Sequence, residues 1–141
     1  MHLIIKLIFI LTGLSNDPPA DFILGSWYTE EKAALIGFSK NEQGYFGEII
    51  WLKDSLKSGK TKVDENNKNP NLRKRPILGI PIVWGLKYED GNWEGGKLYD
   101  PQSGSTYNCQ IKVKDTLTIE VRGYLGLPAF GRSVYWTKVE K

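Results

Sequence analysis

Tyr107-Asn108-Cys109-Gln110-Ile111-Lys112-Val113 and, beyond Lys114-Asp115-Thr116, Leu117-Thr118-Ile119-Glu120-Val121-Arg122 decide the fold. Apolar and polar side chains alternate through both runs, and a period of two belongs to a strand with one buried and one wet face. A short polar turn between two such runs makes an antiparallel hairpin. The register turns Tyr107, Cys109, Ile111, Val113, Leu117, Ile119 and Val121 inward, so Cys109 reads as a small core residue and not as a reactive thiol.

Outward from this hairpin the same grammar repeats. Strand-like runs cover residues 22–30, 33–40, 43–52, 83–89, 92–99, 105–113, 116–122 and 132–139. They are separated by turn chemistry such as Asp90-Gly91-Asn92 and Asp100-Pro101-Gln102-Ser103-Gly104. Consecutive hairpins favour an up-and-down meander over crossing connections. Eight strands close into a barrel whose interior is just wide enough for side chains or one small ligand. The expectation is an all-β, eight-stranded antiparallel up-and-down barrel forming one domain over residues 21–141. Five Trp, seven Tyr and five Phe suit such a fold. Two segments interrupt the pattern. Residues 53–75 form a long polar loop between the third and fourth strands, and residues 76–83 read as an apolar plug or short helical turn over a barrel mouth. Residues 123–131 read as a second apolar segment of that kind.

The N-terminus reads differently. Leu3 to Leu14 is nearly all apolar apart from Lys6 and gives way to Ser15-Asn16-Asp17-Pro18-Pro19. This is the pattern of a secretory signal peptide over residues 1–15, with a cut possible as late as residue 20. A buried or membrane-anchoring segment is the alternative, but the apolar stretch is short for spanning a bilayer. Export would place the mature chain in the periplasm or outside a bacterial cell, with no stable transmembrane anchor after processing.

Without Lys6, 18 of the 19 Lys and Arg remain against 16 Asp and Glu. The basic residues are dispersed except for Arg73-Lys74-Arg75, so no nucleic-acid surface is expected. The single His is His2, inside the leader, and the single Cys is Cys109. A mature chain without imidazole has no Ser-His-Asp or Cys-His machinery, no zinc site and no proximal haem ligand. No metal or cofactor is expected, and one Cys makes no internal disulfide.

Several local motifs dissolve on inspection. Gly91-Asn92-Trp93-Glu94-Gly95-Gly96-Lys97 has the spacing of a phosphate-binding loop, but Leu98 stands where Ser or Thr would hold magnesium and the segment is a hairpin. The stretch from Asp64 to Asn69 lacks the central Gly and closing Glu of an EF-hand loop. Glu48, Asp54, Asp64, Asp100 and Glu120 are carboxylates for acid and base work, with no spacing that pairs two of them. Gly25-Ser26-Trp27 carries more weight. It has the G-x-W form found on the first strand of lipocalins, where the indole closes the barrel floor under a cation from the last strand. Lys138 or Arg132 could supply that cation.

Taken with Tyr45-Phe46-Gly47-Glu48-Ile49, Asn69-Pro70, Arg75-Pro76-Ile77-Leu78-Gly79, Trp93 to Pro101, Gly104 with Tyr107, Arg122-Gly123-Tyr124-Leu125-Gly126, Phe130-Gly131-Arg132 and Trp136-Thr137, this opening resembles a bacterial family, domain of unknown function 2147. The resemblance spans Gly25 to Val139. It implies an exported, lipocalin-like (calycin-type) barrel and no established activity. One branch of that family carries a Cys pair in the long loop, where this chain has Asp64 and Asn69, so no redox or metal role carries over. Of the matching polar residues, Asn69, Arg75, Asp100 and Arg132 form a candidate loop cluster. They either make a site or brace the loops.

Three functions stay open, in this order. The first is non-catalytic binding of a small apolar or amphipathic, lipid-like ligand in the barrel mouth, with Trp51, Trp84, Trp93, Tyr107, Arg122 and Trp136 as candidate contacts. The second is an envelope adaptor that recognises a protein or polysaccharide through residues 53–75 and exposed aromatics. The third is a hydrolase built on two carboxylates.

Overall fold

The computed structural model describes residues 16–140. Its strands are Gly25–Tyr28 (β1), Ala34–Asn41 (β2), Gly44–Leu52 (β3), Leu56–Lys57 (β4), Lys60–Thr61 (β5), Pro81–Glu89 (β6), Asn92–Asp100 (β7), Ser105–Asp115 (β8), Thr118–Tyr124 (β9) and Arg132–Lys138 (β10). Eight of them close a barrel in the order β1-β10-β9-β8-β7-β6-β3-β2, and β4 and β5 form a separate small hairpin inside the long loop. Closure is made by β1 on β10, with Trp27 opposite Lys138 and Tyr28 opposite Thr137. A closed sheet leaves no edge strand to recruit other chains. The leader expected over residues 1–15 lies outside the described residues.

The hairpin turns follow from their sequence. Between β6 and β7, Asp90 and Gly91 take φ of 51° and 86°, the left-handed pair that matches the twist of a two-residue hairpin. The alternation in β8 and β9 produces the expected faces: Cys109, Ile111, Ile119 and Val121 are fully buried. Cross-strand pairing carries one apolar row around the barrel, from Trp93 to Ile111, Val121 and Val134. Leu117, expected inward, lies in the turn and is 41% exposed, because β9 begins only at Thr118.

One end of the barrel is sealed from below. The run expected as a first strand over residues 22–30 is shorter. Ala20–Ile23 is a 3-10 turn that tucks Ile23 into the core, and Glu30–Lys32 is another. Trp27 Nε1 donates to the Ile23 carbonyl at 2.8 Å and Trp93 Nε1 to the Ala20 carbonyl at 3.0 Å. Tyr88 donates its hydroxyl to the Pro18 carbonyl. The cation expected over Trp27 is Lys138, 5.4 Å from the indole centroid and 4.6 Å from that of Phe22; its ammonium also donates to the Phe22 carbonyl at 3.3 Å. Arg132 lies at the other end of β10.

Of the two segments read as plugs, the first turns inward in part: Ile77 packs against the core and Ile80 is buried, while Leu78 is 47% exposed and residues 81–83 already open β6, with Ile82 and Val83 buried. The helical turn in this region lies earlier, at Pro70–Leu72, where the Asn69 side chain caps it by accepting from the Asn71 N–H at 3.0 Å. After β9 the chain makes an open loop with a 3-10 turn at Pro128–Phe130, and Leu125, Leu127 and Phe130 point to solvent. Among the described residues no helix is long and apolar enough to cross a membrane.

Candidate functional site: two cavities at the open end

The strand ends opposite the sealed floor frame two cavities that share Tyr99 and Tyr107 in their walls. The inner one, about 450 Å³, enters the barrel between Ile82, Leu98, Val121, Val134 and Trp136. Those positions fall on strands whose alternation turns them inward, so the walls are apolar for the same reason that the barrel forms. Asp100 and Arg132 stand at the ends of their strands and add polarity to the lining. The Asp100 carboxylate is engaged in its own turn, accepting from the Gln102 N–H at 3.0 Å and the Ser103 hydroxyl at 2.9 Å. Arg132 is exposed, and its guanidinium has no hydrogen-bond or ion-pair partner among the described residues. The Trp136 indole, 4% exposed, gives its N–H to no acceptor among them. No described buried side-chain nitrogen or oxygen is left unpaired, so this donor has access to a ligand or water.

The outer cleft, about 710 Å³, lies between the long loop and the outer face of the sheet, with Trp84, Lys68, Asn69, Arg75 and Thr106 in its lining. What holds the loop there is a residue that the sequence ranked only among several free acids. Asp64 is completely buried. Its Oδ2 accepts from Arg75 Nε at 3.0 Å and Asn67 Nδ2 at 2.8 Å, and its Oδ1 accepts from the Tyr99 hydroxyl at 2.6 Å. The backbone repeats the link, Asp64 N–H donating to the Arg75 carbonyl at 2.9 Å. The Arg75 guanidinium packs 5.8 Å over the Tyr99 ring. Burial, reinforced by the hydrogen bond to Asp64, pushes the Tyr99 phenol up to about 12. A buried charge is tolerable only when it is paired and its lone pairs are satisfied, as here.

Gly104 makes this docking possible. It is buried at φ +72°, and a Cβ there would meet the Asn66 carbonyl oxygen at 1.8 Å. Only a residue without Cβ lets the loop backbone approach so closely. Asn66 then donates its amide to the Gln102 carbonyl at 2.9 Å, tying loop to turn.

The sequence-derived candidates therefore separate. Tyr107 and Trp136 line the inner cavity with Asp100 and Arg132, while Trp84, Asn69 and Arg75 line the outer cleft with Tyr107. Trp51, Trp93 and Arg122 line neither. Trp51 is on the outside, edge-on to Tyr28 with ring centroids 6.5 Å apart, because its position on β3 follows the outward Ile50 across a register shift. Trp93 is fully buried in the floor. Arg122 braces the loop after β9, donating to the Pro128 carbonyl at 2.7 Å, the Ser133 hydroxyl at 2.8 Å and the Gly131 carbonyl at 3.2 Å. Reading the sequence missed Asp64 because its third partner, Tyr99, lies 35 residues away and nothing local distinguishes it from Asp54 and Glu65 in the same loop.

A solved structure, the Helicobacter pylori protein HP1028, described as belonging to the lipocalin family, superposes with a TM-score of 0.72 at 23% identity, over 84% of this chain and 83% of that one. At that identity the likeness speaks for the fold. No curated protein matches significantly. The profile of the family described as "Uncharacterized protein conserved in bacteria (DUF2147)" matches residues 25–138. With the match running from the first barrel strand to the last, the chain belongs to this bacterial DUF2147 family and folds as a closed, lipocalin-like eight-stranded barrel.

Proposed function

We propose that the protein is an exported, non-catalytic binder of a small amphipathic ligand, held in the inner cavity with its apolar part against Leu98, Val134 and Trp136 and its polar end at Arg132. The observation that carries this reading is the cavity itself. At about 450 Å³ it falls within the roughly 300–1,000 Å³ of small-molecule sites, which pair apolar walls with few polar groups. A guanidinium with no partner in the described chain favours an anionic head group, such as a carboxylate, which it can meet with two parallel hydrogen bonds. The apolar leader at residues 3–14 supports export to the periplasm or the cell exterior.

A two-carboxylate hydrolase fits less well. The inner cavity has one acid in its lining, Asp100, and the outer cleft has none. The test is native mass spectrometry of protein purified gently from its own cell envelope, with organic extraction of whatever is released. A defined amphipathic molecule near one per chain is the expected result. Protein that is consistently empty, and stays empty when offered lauric acid, would overturn the proposal.

A further inference from the structure

The outer cleft is chemically unlike the inner cavity. Trp84 projects from β6 on the face opposite the core and is 37% exposed. No other aromatic ring packs against its indole among the described residues. An indole left open beside a cleft offers a flat apolar platform with one N–H donor at its edge. Around it stand cations and neutral polar groups, and no carboxylate lines the cleft. Asp64, the nearest acid in the loop's network, is fully buried beneath it.

Arg75 is pre-positioned. Its Nε is fixed on Asp64 and its guanidinium carbon sits 5.8 Å over the Tyr99 ring, while its two Nη groups make no hydrogen bond among the described residues. A guanidinium held at one edge presents its remaining donors at little entropic cost. Lys68 Nζ reaches only the Ser105 hydroxyl, at 3.3 Å, and is exposed. Asn69 spends its carbonyl oxygen on the helical turn, which leaves its amide N–H groups to donate. A ring with an apolar face, several hydroxyls and an acidic group meets all of these at once. A pyranose stacks its C–H face on an indole, its hydroxyls pair with amide and hydroxyl side chains, and a carboxylate on the sugar meets the cations.

We propose that the outer cleft is a second ligand site, for a carboxylated saccharide, with Trp84 as the stacking platform and Lys68 and Arg75 as partners of the carboxylate. The site shares only Tyr99 and Tyr107 with the inner cavity, and Trp84, Lys68 and Arg75 belong to the outer cleft alone. An envelope protein so equipped would hold an acidic glycan on its outer face while carrying its small ligand inside.

Isothermal titration with tetragalacturonate tests this, with neutral maltotetraose and inorganic phosphate as comparison probes. Binding of tetragalacturonate is expected, weakening as salt rises, with maltotetraose at least about tenfold weaker and phosphate failing to compete. Trp84→Ala and Lys68→Ala each weaken it at least about fivefold while the barrel stays folded at the titration temperature, since Lys68 is exposed and Trp84 lies on the face opposite the core. Val134→Phe, which narrows only the inner cavity, leaves it unchanged. No binding of tetragalacturonate, or affinity unaffected by Trp84→Ala, would overturn the proposal. Equal affinity for maltotetraose, or displacement by phosphate, would overturn the assignment to a carboxylated sugar.

Discussion

Replacing Asp64 with alanine strips three donors of their acceptor at once. The Tyr99 hydroxyl and the Asn67 amide are buried, and leaving a buried donor unpaired costs about 1–3 kcal/mol each. Arg75 keeps 31% of its side chain in solvent and can recover water for its Nε, so it adds little. The sum is about 2–6 kcal/mol, bracketing the roughly 3–5 kcal/mol typical when one partner of a buried pair is removed. For a domain of this size that corresponds to a fall of roughly 10–20 °C in the melting temperature. Urea unfolding followed by Trp fluorescence reads it; Tyr99→Phe, which leaves only Oδ1 of the buried Asp64 carboxylate without its donor, should cost about 1–3 kcal/mol, less than Asp64→Ala. A loss below about 1 kcal/mol for Asp64→Ala would refute the view that this carboxylate holds the long loop to the barrel.

Other consequences follow from the same contacts. Gly104→Ala combines a positive φ with a backbone clash; it should free the long loop, seen as faster amide exchange over residues 64–69 than in the parent protein. Burial raises the Tyr45 and Tyr99 phenols to about 12, above the unfolded value near 10. Between those values the unfolded chain has lost protons that the native state keeps. Stability is therefore full below about pH 10 and falls as pH rises towards 12, a slope that Tyr45→Phe and Tyr99→Phe together should flatten in urea titrations. Burial likewise pushes the Cys109 thiol to about 12, so only about one in 10⁴ is thiolate at pH 8. Iodoacetamide should modify it at the rate of barrel opening, far slower than in urea. Phe130→Ser, at a residue 79% exposed, should change stability by no more than about 0.5 kcal/mol.

What could be read from the sequence was local, and what could not was long-range. Alternation in the β8–β9 hairpin is a property of neighbouring residues, as is the Asp90-Gly91 turn, and both appear in the structure, except that Leu117 falls in the turn and is exposed. A cation from the last strand over Trp27 was legible from the G-x-W form, which left Lys138 and Arg132 both open; the closing register, Trp27 opposite Lys138, selects Lys138. The floor was misjudged because a short run such as residues 20–24 has no periodicity to distinguish a strand from a single 3-10 turn. The loop after β9 looked like a plug because Leu125, Leu127 and Phe130 are apolar, yet Arg122 holds its carbonyls and leaves those side chains outside. Asp64 escaped because its importance depends on Tyr99, 35 residues away.

The inner cavity as a ligand site is tested most directly by methyl and indole N–H NMR during a titration with lauric acid. Saturable shifts centred on the Leu98 and Val134 methyls and the Trp136 indole N–H are expected, and their loss in Val134→Phe. Shifts elsewhere with those signals unmoved, or no shifts at all, would contradict it.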